Sequence, residues 1–288
     1  MKPSFLARLQ RTAFVNLSGA LLLLLIVPIL QLLVLGPQGY GSALASSQAS
    51  LAWIQGHTSL FLLYRLALIL GFALLIALPF ALFRIIIAQE IVGRAEIEED
   101  EEDEELDDAE EDGEAQDEAE EEESEQLAST GKKDALPPFA WRGKGFAVIA
   151  AWTGLLGLIL ITGGTLASTI YLWSSASYVS AQAPLPGNFS SVTSLFAVLT
   201  YTIGGGLLAI SCIFFGIVIA RSGRKLWPDS WVAFGYVGLG VGAIASGSAV
   251  QVALSPTAAQ ATLTTPAILL FAAWSLWFSL MVVRLKAE

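Results

Sequence analysis

Few residues of this 288-residue chain are equipped for chemistry. There is one histidine, His57, and one cysteine, Cys212. A structural zinc site takes four Cys or His ligands, so this chain cannot build one alone. A single thiol also leaves no intramolecular disulfide. A nucleophile, a base and an orienting group cannot be assembled around His57, so no catalytic residue is assigned and enzyme activity is not expected. No stretch has the glycine spacing of a P-loop or a dinucleotide turn. No metal centre, cofactor or nucleic-acid partner is expected either.

The abundant reactive groups are carboxylates, and they are segregated. Of the 30 residues from Glu96 to Glu125, 22 are Asp or Glu and none is Lys or Arg. Outside that block 15 basic residues face 4 acidic ones, so the pI of 4.6 describes one segment rather than the whole chain. The block lacks the fixed, glycine-centred ligand spacing of an EF-hand. It is too polar and too self-repelling to offset its ordering entropy, so a disordered loop is expected. Three uses are open: a solvated spacer, a docking tether for a basic cytoplasmic protein, or a weak collector of divalent cations. Docking by such a charge density would be fast and salt-sensitive.

Arg65 and Arg84 are the other charged pair of interest. Nineteen residues of helix separate them, about 28 Å at 1.5 Å per residue. That is roughly one hydrocarbon thickness, so the two read as snorkelling anchors at opposite interfaces. The alternative is that Arg65 is a buried cation on a solute path. No Asp or Glu lies well inside an apolar run, since Glu90 and Asp229 only flank them. A self-contained proton-coupled carrier, which needs an intramembrane carboxylate or histidine relay, is therefore not expected.

The elements that position these residues are six apolar runs: Ala13–Leu35, Phe61–Ala88, Phe146–Leu172, Leu195–Ala220, Trp231–Ala253 and Pro266–Val283. A bilayer core about 30 Å thick needs roughly 20 such residues in helix. The expected fold is all-α: a polytopic membrane protein of six transmembrane helices in three hairpins, plus the acidic loop. It divides into an N-terminal hairpin (1–94), the acidic linker (95–145) and a four-helix region (146–288). Lys and Arg concentrate before the first run, in the second and fourth connections, and after the sixth. The positive-inside rule then places both termini and the acidic loop in the cytoplasm, in a bacterial inner or a thylakoid membrane. The first run is too long for a signal-peptide core and reads as a retained anchor.

Glycines mark expected helix contacts. Gly204, Gly205 and Gly206 are consecutive, and Gly238 and Gly242 have GxxxG spacing, which favours close helix packing and homo- or hetero-oligomers. The triple glycine has a second reading as an unwound segment binding a solute through its carbonyls. Pro28 and Pro79 should kink the first and second helices. Trp173, Trp227 and Trp231 fall near the ends of runs and are expected to be interface anchors with Arg65 and Arg84. Trp274 and Trp277 share a face deeper in the sixth run, where packing is the default.

The stretch "GGGLLAISCIFFGIVIARSGRKL", Gly204 to Leu226, resembles a small cyanobacterial and plastid membrane-protein family that includes the chloroplast inner-envelope permease-like, import-associated proteins. The resemblance rests on a glycine-rich span ending in a basic turn, Arg221, Gly223, Arg224, Lys225 and Leu226, and is expected to extend from about Phe139 to Ala253. It implies a role in metal transport or protein import. The residues themselves favour a non-enzymatic membrane protein that assembles partners through small-residue faces and the acidic loop. A permease or channel for a small solute or ion is the second reading.

Overall fold

A computed structural model describes residues 3–44, 46–88, 138–180, 185–256 and 263–285. The side chains of 3, 4, 138–144, 180 and 222–226 fall outside that description. So does the acidic block Glu96–Glu125, with the disorder expected of it and nearly all of the 95–145 linker. The described residues are helical, with no strand among them. Six helices have the length and apolarity to cross a bilayer: Phe5–Leu35, Thr58–Ala88, Gly145–Val179, Phe189–Arg221, Asp229–Leu254 and Thr264–Val283. The chain is an all-α, multi-pass membrane protein.

The spans form a closed ring in chain order. Each packs on the next, and the sixth closes on the first. The closure is pinned at the end carrying the termini, where the Gln10 side-chain amide donates to the Leu285 carbonyl at 3.0 Å. The connections that start and finish at this basic end are the ones whose sequence carries Lys and Arg. The opposite, neutral end carries connections without any Lys, Arg, Asp or Glu.

Buried residues of the first span recur at Leu9, Ala13, Asn16, Ala20, Leu23 and Val27. That alternation of four and three residues is the seam of a packed helix. Its far side is bare: Leu32 and Leu33 are 70% and 72% exposed, as residues facing lipid are. One continuous core of Phe215, Trp231, Phe234, Trp274 and Phe278 fills the ring toward the basic end.

Both expected proline sites depart from regular α-helix. Pro79 cannot donate to the Leu75 carbonyl, so Leu78 N–H takes it at 2.9 Å. Residues 75–77 become turns, and helix resumes at 78. Pro28 lies between two π-helical segments, Leu22–Ile26 and Leu30–Leu35. A third π-segment, Val198–Gly204, opens into the α-helix Gly205–Leu226. The triple glycine is therefore helical throughout, and the unwound reading of it is corrected.

The first neutral-end connection is a folded cap. Helices Tyr40–Ala43 and Ser47–Gly56 fold over the ring, and the second begins at a true N-cap, with Ala49 N–H donating to Ser46 Oγ at 3.2 Å. Leu51, Trp53 and Ile54 join Phe61, Ala176 and Phe189 in a second core. The Trp53 indole donates to the Gln38 carbonyl at 2.7 Å and stacks on His57 at 4.7 Å. His57 Nδ1 in turn lies 3.1 Å from the Trp53 carbonyl, so the one histidine is tied into the cap.

Candidate functional site

In the half of the ring nearer the neutral end lies a partly open cavity of about 410 Å³. All six spans and the cap contribute to its wall. The first span supplies Gln31 from its second π-segment, and the fourth supplies Thr200 and Tyr201 from its own. A π-turn shifts the helical register by one residue, which re-aims side chains, and such turns recur at functional sites.

Arg65 lies on this wall. It sits seven residues inside the second span, about 10 Å along the helix from Thr58. The expectation of a snorkelling anchor at this position is corrected, because the guanidinium turns into the ring. Phe61, one turn earlier on the same helix face, places its ring centroid 5.4 Å from the guanidinium carbon. The Tyr201 hydroxyl accepts a hydrogen bond from the guanidinium, and Tyr40 and Tyr64 complete a shell of three phenols. Tyr40 and Tyr64 meet edge to face at 6.2 Å. Burial of Tyr40, which lies outside the spans, pushes its phenol above the ordinary 10.0, and Arg65 pulls it partly back.

Among the described residues the charge on Arg65 has no partner of opposite sign. Asp229 is the only carboxylate among the described residues, and it opens the fifth span at the basic end. Arg65 Nε is shut off from solvent and has no hydrogen-bond partner. The same holds for the Tyr171 hydroxyl, on the same cavity wall. Tyr171 is held by Phe189 and Phe196, at 5.7 and 5.8 Å between centroids. Arg65 and Tyr171 both line one cavity, with these two atoms turned away from its open space.

Below Tyr201, Thr264 and Ile268 a smaller void of about 40 Å³ continues toward the basic end. Its wall is apolar except for Tyr201, Ser248, Thr264 and Cys212. The aromatic core closes the ring beyond it.

The remaining expected residues serve packing. A Cβ on Gly204 would lie 3.0 Å from Ile161 Cγ1 and 3.2 Å from the Gly157 carbonyl, so this glycine is a point of helix contact. Gly205 faces open space and Gly206 has ordinary room. Gly238 abuts the Trp274 indole, and Gly242 abuts Ile213 and the Ala209 carbonyl. Arg84 and Trp173 are exposed, whereas Trp227 and Trp231 are only 5% and 6% exposed. Those two indoles pack on each other at 5.2 Å, so their assignment as interface anchors is corrected to buried aromatics at the basic end. Sequence reasoning missed Tyr40, Tyr64, Tyr171 and Tyr201. The available signal was the density of hydroxyls, Ser168, Tyr171, Thr193, Thr200 and Tyr201, in the halves of the third and fourth spans that share Arg65's depth.

No family model matches this chain, and no curated protein or solved structure matches it either.

Proposed function

We propose that the chain is a permease that receives a small anionic solute from the neutral end, with Arg65 as the anion-binding residue. The observation that carries this reading is an arginine with no counter-ion among the described residues, on the wall of a cavity lined by all six spans. A cation inside the apolar thickness is expensive, and removing it from water without an opposite charge leaves the penalty uncompensated. A ligand bringing the missing negative charge compensates it. By the positive-inside distribution the neutral end faces the exterior, so the cavity would load from outside.

Purified protein reconstituted into liposomes tests this with labelled acetate, benzoate, phosphate and sulfate. Uptake of at least one anion is expected, with Arg65→Gln reducing it by roughly two orders of magnitude, as loss of a charge-assisted contact implies. Equal uptake by the variant and the parent defeats the reading.

Partner assembly is the second reading, favoured by the confinement of 22 carboxylates to Glu96–Glu125. Deleting that block should release a co-purifying basic protein, and high salt should mimic the deletion. The two readings separate cleanly, since the deletion leaves every residue of the cavity in place.

A further inference from the structure

We infer that the cavity selects a monocarboxylate carrying a compact apolar body, an inference that rests on the anion-binding reading above and narrows it. Charge is the first constraint. Among the described residues Arg65 is the only Lys or Arg on the cavity wall. One guanidinium balances one negative charge; a dianion or polyanion would bring a second charge out of water with nothing opposite it. The guanidinium also has a planar fork of donors that matches a carboxylate.

Shape is the second constraint. About 410 Å³ lies within the range of small-molecule sites, whereas a halide would fill only a small part of it. Part of the wall is aromatic. Tyr171 stacks near-parallel with Phe189, at 22° between planes, and tilts against Phe196. A flat or branched apolar body has faces to meet there. The Tyr171 hydroxyl lies behind this wall, closed to solvent and lacking an acceptor, so it becomes a second donor only if the bound ligand turns the ring to meet it.

The test uses the full chain in detergent micelles and follows the shift of the thermal midpoint with added probe. The probes are benzoate, its neutral counterpart benzyl alcohol, the dianion phthalate, the long-chain carboxylate dodecanoate, and chloride. Benzoate should stabilise at the lowest concentration, with benzyl alcohol and phthalate roughly tenfold or more weaker. Arg65→Gln should remove the preference for benzoate over benzyl alcohol, Arg65→Lys should keep part of it, and Tyr171→Phe should weaken benzoate a few-fold. The ranking on the parent protein needs no variant to fold. Phthalate or dodecanoate ranking above benzoate overturns the inference. Chloride matching benzoate, with both lost in Arg65→Gln, overturns the ligand class while leaving the anion site standing. No response to any anion overturns both.

Discussion

The indole of Trp274 lies flat against Phe234, 4.7 Å between centroids and 5° between planes, and its N–H donates to the carbonyl of the same residue at 3.1 Å. One residue of the fifth span thus holds both the face and the polar edge of a buried tryptophan from the sixth. Gly238, one turn further along, makes the room: a Cβ there would sit 3.2 Å from Trp274 Nε1. Its GxxxG partner Gly242 meets Ile213 of the fourth span instead, where an added Cβ would lie 2.5 Å from Ile213 Cγ1. The motif therefore serves two different neighbours within one chain.

Gly242→Ala should lower stability by about 1–3 kcal/mol, because the added methyl forces two packed helices apart. Gly240→Ala is the control, since nothing lies within 4 Å of its Cβ position. It should be neutral or gain up to about 1 kcal/mol through helix propensity. Thermal midpoints in detergent compare them, and equal losses in both would contradict the packing described.

Asn16 is 0% exposed on the buried seam of the first span, and neither its amide nitrogen nor its oxygen has a partner. An unpaired buried amide costs about 1–3 kcal/mol, and an apolar side chain of similar volume removes that cost. Asn16→Leu should therefore stabilise the protein. A lower midpoint would show that the amide is paired in the working protein.

Cys212 offers a native reporter. It is buried on the wall of the smaller void, which shares Tyr201, Thr264 and Ile268 with the cavity above. A membrane-impermeant maleimide should label the native protein slowly. Tyr201→Ala should raise the labelling rate roughly tenfold or more by opening the way down, as loss of burial exposes a thiol. An unchanged rate would mean that Tyr201 does not bar that way.

Tyr40 sets a pH dependence. Its folded pKa is raised above the ordinary 10.0, chiefly by burial, while Arg65 lowers it in part. A raised folded pKa means that the stability contributed by neutral Tyr40 is complete below pH 10 and is lost as the pH climbs past it. Arg65→Gln removes the lowering influence, so Tyr40 should titrate at still higher pH. Tyrosinate absorbance, differenced against Tyr40→Phe, reads this; a shift to lower pH would contradict the placement of Arg65 beside it.

The six spans were legible in the sequence because crossing a bilayer is a one-dimensional constraint: about 20 apolar residues suffice wherever they stand. The departures from regular α-helix around Pro28 and Pro79 were legible for a similar reason, since a missing N–H acts within four residues. The direction of Arg65 was not. Its distance from Arg84 fits an interface anchor, and only the closing of the sixth span on the first gives it a cavity to face. Trp227 and Trp231 differ from expectation on the same ground: chain position set their depth, while ring closure decided that they point inward. The cap had no apolar run to announce it, and Leu51, Trp53 and Ile54 acquired a core only by meeting Phe61, Ala176 and Phe189 from distant segments. Local chemistry determined which segments enter lipid; which of their faces meet, and therefore where an unpaired charge survives, depended on contacts between residues far apart in the chain.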